Sequence, residues 1–387
     1  MNAVCSIFSQ ILQLFSRAEF QAAVHKHKAE RHARGFTCWG QFIAMLFCQL
    51  GRAHSLSEIT QGLAASEGKL RHLGLTAAPA KSTLAYANQH RPWELYQTVF
   101  LQLLERCQAQ AGARQSKFRF KNKLVSLDAS VIDLCLELYD WAHFRRTKGA
   151  VKLHLLLDHD GYLPSFAVLT DGKTHEIRVA RELRFAPGTI VVYDRGYTDY
   201  DWFESLSYQG VWFVTRMKDN ADFVVVEDRP VPTGKNIRSD QIISLFPHAR
   251  EGKDLFFRRI VFWDEQNQQE LVFLTNHLKF AASTMAAIYK DRWQVELFFK
   301  SLKQLCKIKT FVGTSPNAVK TQIWTALIAM LLLRFLQLKA KFNWALSNLV
   351  ALLRQQLFVH RDLWVWIDQP FQPSSPPAAQ QLPLALS

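Results

Sequence analysis

Apolar positions in the first 110 residues recur at helical spacing. Ile7, Ile11, Leu12 and Phe15 trace a short amphipathic face, and Trp39 to Leu50 is apolar nearly all round, as a buried helix would be. Leu56–Ala64 and a short Lys69–Leu73 segment closed by Gly74 follow. After a break at Pro79, Ser82 or Thr83 would cap a helix over Leu84–His90 that Pro92 ends. Trp93–Gln110 reads as a strong amphipathic helix. From Lys123 the period shortens. Leu124–Leu134, Val151–Asp158 and Leu163–Thr170 are strand-like, and the turn His159-Asp-Gly-Tyr162 joins the last two as a hairpin. Helices are expected at Glu176–Arg184 and Tyr200–Tyr208, and strands at Thr189–Tyr193 and Val211–Arg216. Three antiparallel strands, then helix, strand, helix, strand, predict an α/β sheet.

Residues 217–280 alternate again, with strands at Phe223–Glu227, Leu255–Trp263 and Glu270–Thr275 joined by polar turns such as Pro232-Thr-Gly234. Tyr289 to Lys303 contains no helix breaker and predicts one uninterrupted helix. At about 100° per residue its polar side carries Tyr289, Arg292, Glu296, Lys300 and Lys303, opposite Val295, Phe298, Phe299 and Leu302. Taken alone, that stripe is a solvated face with Arg292–Glu296 and Glu296–Lys300 pairs. Long apolar helices run to about Leu357, and residues 369–387, rich in Pro, Gln, Ala and Ser, read as a flexible tail.

Composition narrows the partners. A chain of 387 residues with 49% hydrophobic content can bury a large core. Its net charge of +14 points to a polyanion, most often nucleic acid, and +10 of it lies in residues 1–123. Part of that charge is a dense patch from His25 to Arg34, which is equally a solvated surface. Helices over Leu56–His90 are compatible with a helix-turn-helix, as they are with many bundles. The six cysteines form no metal-like spacing and read as reduced thiols. The N-terminus lacks a signal-peptide pattern, and the apolar run Ile323–Leu333 is too short to span a bilayer, so a soluble, cytoplasmic protein without a membrane role is expected.

The pattern Tyr289-x2-Arg292-x3-Glu296-x6-Lys303 resembles the signature of DDE transposases of the insertion-sequence number-four family of bacterial mobile elements. The likeness extends from about Lys123 to Lys303 and includes two aspartates in strand contexts, Asp128 in Val-Ser-Leu-Asp-Ala-Ser and Asp194 in Val-Val-Tyr-Asp-Arg-Gly-Tyr. It implies an RNase H-like catalytic core at 119–216 and 281–312, with an inserted β-rich domain at 217–280. An all-helical DNA-binding domain at 1–118 precedes that core, and C-terminal helices at 313–368 with the tail at 369–387 follow it. It also implies a cytoplasmic, nucleoid-associated enzyme active as a homodimer on double-stranded DNA, both terminal inverted repeats and target DNA.

Three gathered carboxylates repel one another unless cations sit between them. In such a fold Asp128, Asp194 and Glu296 would converge, and oxygen-only ligands suit two Mg²⁺ ions, with Mn²⁺ as a substitute. Two ions of this kind activate a water or a DNA 3′-hydroxyl and stabilise the leaving oxygen. The resemblance gives Tyr289, Arg292 and Lys303 phosphate contacts; Lys300 shares their stripe outside the signature. Arg145, Arg146 and Lys148 would follow a DNA backbone or form a solvated turn. His154 and His175 read as structural. Family members that form hairpin ends hold a flipped base on an aromatic ring, for which Trp263 stands as candidate beside Trp293. Two rival readings share the fold: a DNA-binding regulator without catalysis, and a nuclease without strand transfer.

Overall fold

The computed structural model describes residues 5–31, 33, 35–66, 68–111, 117–135, 138–145, 148–245, 255–306 and 310–372. Arg146, His32 and Arg34 of the basic stretches, and most of the expected tail, lie outside them.

Seven helices lead the described chain: α1 (Ile7–Leu12), α2 (Arg17–Lys26), α3 (Cys38–Gly51), α4 (Leu56–Ala64), α5 (Leu70–Leu73), α6 (Lys81–His90) and α7 (Glu94–Ala111). Ser6, Ser16, Thr37 and Ser55 cap the first four by accepting backbone N–H bonds. The expected cap of α6 is corrected. The helix starts at Lys81 behind Ala80, which offers no side-chain cap, so Ser82 and Thr83 stand exposed in its first turn.

The sheet follows, with β1 (Leu124–Leu134), β2 (His143–Arg145), β3 (Lys148–Asp158) and β4 (Leu163–Asp171), then α8 (Glu176–Glu182), β5 (Ile190–Val192), α9 (Tyr200–Tyr208) and β6 (Trp212–Arg216). Beyond them come β7 (Phe223–Asp228), β8 (Ile237–Leu245), β9 (Phe257–Asp264) and β10 (Gln269–Thr275). The helices α10 (Ala282–Asp291), α11 (Trp293–Leu305), α12 (Pro316–Lys339), α13 (Leu346–Gln356) and α14 (Leu363–Asp368) complete the described chain.

All ten strands belong to one mixed sheet, running β3-β1-β5-β6-β10-β9-β8-β7 with β2 and β4 on the far side of β3. β1, β5 and β6 are mutually parallel, and β3 lies antiparallel to β1. Within residues 217–280, expected as an inserted β-rich domain, β7 to β10 extend this sheet. β10 pairs antiparallel with the open edge of β6, satisfying backbone groups that would otherwise face water or a second layer. β8 is an addition to the sequence reading, because Arg238, Asp240 and Gln241 interrupt its apolar alternation. Asp240 is nonetheless buried, held by two hydrogen bonds from the Arg258 guanidinium at 2.7 and 2.6 Å.

One continuous core takes in α1–α7, one face of β1, β3 and β4, α11, and α12 to α14. Its spine is α12, started by Ser315 and Pro316 and buried along nearly its whole length against α3, α6, α7 and β4. It is long and apolar enough to cross a membrane, but 89% of its most apolar window is buried inside the protein. Smaller clusters lie between the sheet and α8 and α9, and between the sheet extension and α10.

Candidate active site

Strand register brings the two aspartates level. Ser126 of β1 lies beside Val192 of the parallel β5, so positions two residues on, Asp128 and Asp194, stand at the same height. β5 ends at Val192 while β1 continues, and this leaves a notch along β1 at the height of the carboxylates. Backbone amides orient both groups: Ala129 N–H donates to Asp128 Oδ1 at 2.8 Å, and Gly196 N–H donates to Asp194 Oδ1 at 2.9 Å. A Cβ at Gly196 would lie 3.0 Å from Asp194 Oδ1, so a larger residue there would crowd that carboxylate.

Glu296 arrives on α11, which buries Val295, Phe298, Phe299 and Leu302 and packs across β1. The expected single helix is interrupted at Arg292, between α10 and α11. Arg292 keeps helical φ and ψ there, so the interruption is slight, and the residues on either side of it make long-range contacts. Asp291, on the apolar side of the predicted wheel, is pinned by Lys117 Nζ at 2.5 Å, His159 Nδ1 at 2.7 Å and the Tyr162 hydroxyl at 3.0 Å. Burial opposes its charge, but these partners bring its carboxyl down to about 2. The next residue turns the other way, and Arg292 Nη2 donates to Glu296 Oε1 at 2.5 Å while Nη1 lies 3.7 Å from Asp128 Oδ2.

An open cavity of about 510 Å³ is lined by Asp128, Asp194, Arg292, Glu296, Lys300 and Lys303. Burial pushes the Asp128 carboxyl up to about 7, against the pull of Arg292 and with added push from Asp194 and Glu296. Among the described residues no three acidic, imidazole or thiol groups are gathered tightly enough to hold an ion as they stand. The Arg292 guanidinium supplies the positive charge between Asp128 and Glu296 instead. Lys303 Nζ donates to the Val131 carbonyl at 3.0 Å, and Lys300 is exposed.

The remaining sequence candidates are placed differently. Tyr289 does not share the surface stripe: it is buried against Phe273, with the Arg292 guanidinium 5.4 Å from its ring. Arg145 ends β2 and Lys148 begins β3. Trp263 lies under the Arg238 guanidinium at 4.1 Å on the sheet extension, while Trp293 is 56% exposed at the start of α11. His154 is buried and bonded to Thr170, with burial lowering its pKa to about 4. Sequence reasoning missed Glu176, which pairs with the buried Lys152 at 3.3 Å and, like Asp194, lies close to Gly196. It had no signal for a first-turn acid of this kind. Asp291 did have one, a carboxylate on a buried helix face.

Comparison with known proteins gives this arrangement a family. Residues 119–332, more than half of the chain, match the family described as the transposase DDE domain, and residues 4–76 match a domain of unknown function, DUF4372. Transposase y4zB of Sinorhizobium fredii is 28% identical over 290 residues, 74% of this chain and 80% of the relative. The transposase for insertion sequence element IS5377 of Geobacillus stearothermophilus is 28% identical over 270 residues, 69% and 70% of the two chains. A chain from the cryo-EM structure of a piggyBac transposase synaptic complex with hairpin DNA aligns at a TM-score of 0.47 and 9% identity, over 92% of this chain and 80% of that one. The family match spans both strand aspartates and the Arg292–Glu296 helix, and the chain therefore belongs to the DDE transposases of the insertion-sequence type, enzymes that cleave DNA strands and transfer them.

Proposed function

We propose that Asp128, Asp194 and Glu296 are the catalytic carboxylates of a cut-and-paste transposase with an RNase H-like core. One observation carries this reading: Asp128 within β1 and Asp194 just past the end of the neighbouring parallel β5 open with Glu296 onto a cavity that Lys300 and Lys303 also line. Ligand sites in such sheets lie at the carboxyl ends of the strands. The donor set is all oxygen and opens onto the cavity; burial of Asp128, with a smaller push from Asp194 and Glu296, disfavours its charged form, which a bound cation would restore. These residues fit Mg²⁺, and they are the ones that would hold it. When bound, the metal would lower the pKa of an attacking water or 3′-hydroxyl and neutralise the leaving oxygen.

The chain's own groups do the rest. Arg292 bridges Asp128 and Glu296; its fork matches two phosphate oxygens, and it would be free to grip a phosphate if a metal ion were held by those carboxylates. Lys300 and Lys303 extend phosphate binding along α11. Tyr289 acts from behind, supporting the Arg292 guanidinium. Trp293, exposed beside Arg292, is better placed than Trp263 to hold a flipped base at a hairpin end. In the N-terminal half, α4 to α6 would read the terminal repeat, with Lys81, Tyr86 and His90 exposed on α6. The active complex would be a homodimer on paired element ends.

The test is cleavage and joining by the full chain on duplexes carrying the element's terminal inverted repeats. Cleaved and joined products that require Mg²⁺ or Mn²⁺ are expected. Binding without cleavage would make the protein a regulator, and cleavage without joined product a nuclease; either result overturns the proposal.

A further inference from the structure

The cavity lined by the three carboxylates and α11 has a neighbour among the described residues. A second cavity, also about 510 Å³, opens at the residues that follow Asp194 and is lined by Arg195, Gly196, Lys218, Asp219 and Asn220. The two are contiguous along the chain: Asp194 faces the first, and Arg195 and Gly196 line the second, with the Gly196 amide donating to Asp194. Its two cations come from separate elements. Arg195 follows the carboxyl end of β5, and Lys218 follows that of β6, the next parallel strand. Thr215 of β6 ties the ends together by donating its hydroxyl to the Asp194 carbonyl at 3.1 Å. Carboxyl ends of neighbouring parallel strands form the crevice in which α/β sheets take ligands.

The charge arrangement favours an anion. Arg195 and Lys218 are exposed, Asn220 adds an amide, and the single acid in the lining is Asp219. Asp219 lies 3.3 Å from Arg195, with its side chain 91% exposed, an ion pair of the solvent-screened kind that a phosphate readily replaces. At Gly196 no side chain rises between backbone and ligand.

Resting on the carboxylate reading above, we infer that Arg195 and Lys218 form a second phosphate site, which grips the DNA backbone on the Asp194 side of the scissile phosphate, opposite Lys300 and Lys303. The carboxylates then stand between two cationic banks, so the strand is held on both sides of the bond to be broken. Clamping both flanks orients that bond for in-line attack.

The experiment uses the full chain and two sets of terminal-repeat duplexes, extended stepwise to one side or the other of the cleavage position. In wild-type protein, extension on either side should tighten binding. In Arg195→Gln/Lys218→Gln, the gain from one side should vanish while the other persists, and the slope of log K against log salt should fall by about 1.8, near 0.9 per lost phosphate contact. Asp219→Asn should act in the opposite sense, with tighter binding and an undiminished slope, and keeps the test open should the double variant fold poorly. Unchanged slope and extension gains would overturn the inference, as would an equal loss from both sides. Cleavage by wild-type protein on the same duplexes reports separately on the carboxylate reading, since these measurements are of binding.

Discussion

Arg292 and Asp291 are adjacent in sequence and opposed in direction, and the candidate site depends on both. Arg292 holds the acid pair Asp128 and Glu296, and Asp291 anchors the helix break to the hairpin turn through His159 and Tyr162 and to Lys117. The signature Tyr-x2-Arg-x3-Glu-x6-Lys was legible as a pattern, but the anchoring of Asp291 was not, because its partner His159 lies 132 positions away. Asp291 gives a signed prediction. Its carboxyl is depressed to about 2, so its stabilising contribution is complete above the unfolded value near 4 and is lost as pH falls toward 2. That contribution is about 2 kcal/mol. In urea unfolding, Asp291→Asn should be the less stable protein at pH 6, and its gap to wild type should narrow by pH 3. A gap independent of pH would show that the carboxylate charge contributes nothing.

Among elements, those with a clean period were readable and those with a buried charge were not. The helix Tyr200–Tyr208 was legible to the residue, and β1, β3 and β4 followed from alternation and the turn at 159–162. β8 was hidden by Asp240, which reads as a loop residue until Arg258 of β9 is seen to grip it. The same pair makes the sheet extension sensitive to one substitution. Asp240→Ala would strand a buried guanidinium and should cost about 3–5 kcal/mol, while a well-packed apolar replacement of both partners should cost much less. Thermal unfolding of the single and double variants checks this. An Asp240→Ala loss below about 1 kcal/mol would mean that water reaches Arg258.

For the whole molecule, segment order was legible while seams were not. Apolar stretches at 39–50 and 323–333 each read as a buried helix, yet nothing local says that they bury against each other, as α3 and α12 do. Their packing joins both ends of the chain to the β1 face that carries Asp128, so the candidate site rests on a core assembled from residues over 300 positions apart. The cationic N-terminal third is thereby fixed to the sheet. DNA affinity and strand cleavage should therefore separate by residue type, with affinity carried by Lys and Arg and cleavage by three acids. The most direct measurement is Mg²⁺-dependent cleavage of terminal-repeat DNA by Asp128→Ala, Asp194→Ala and Glu296→Ala, with DNA binding measured on the same preparations. Each variant should bind DNA within a few-fold of wild type and yield no cleaved product; near-wild-type cleavage by any one of them would contradict the assignment of these carboxylates.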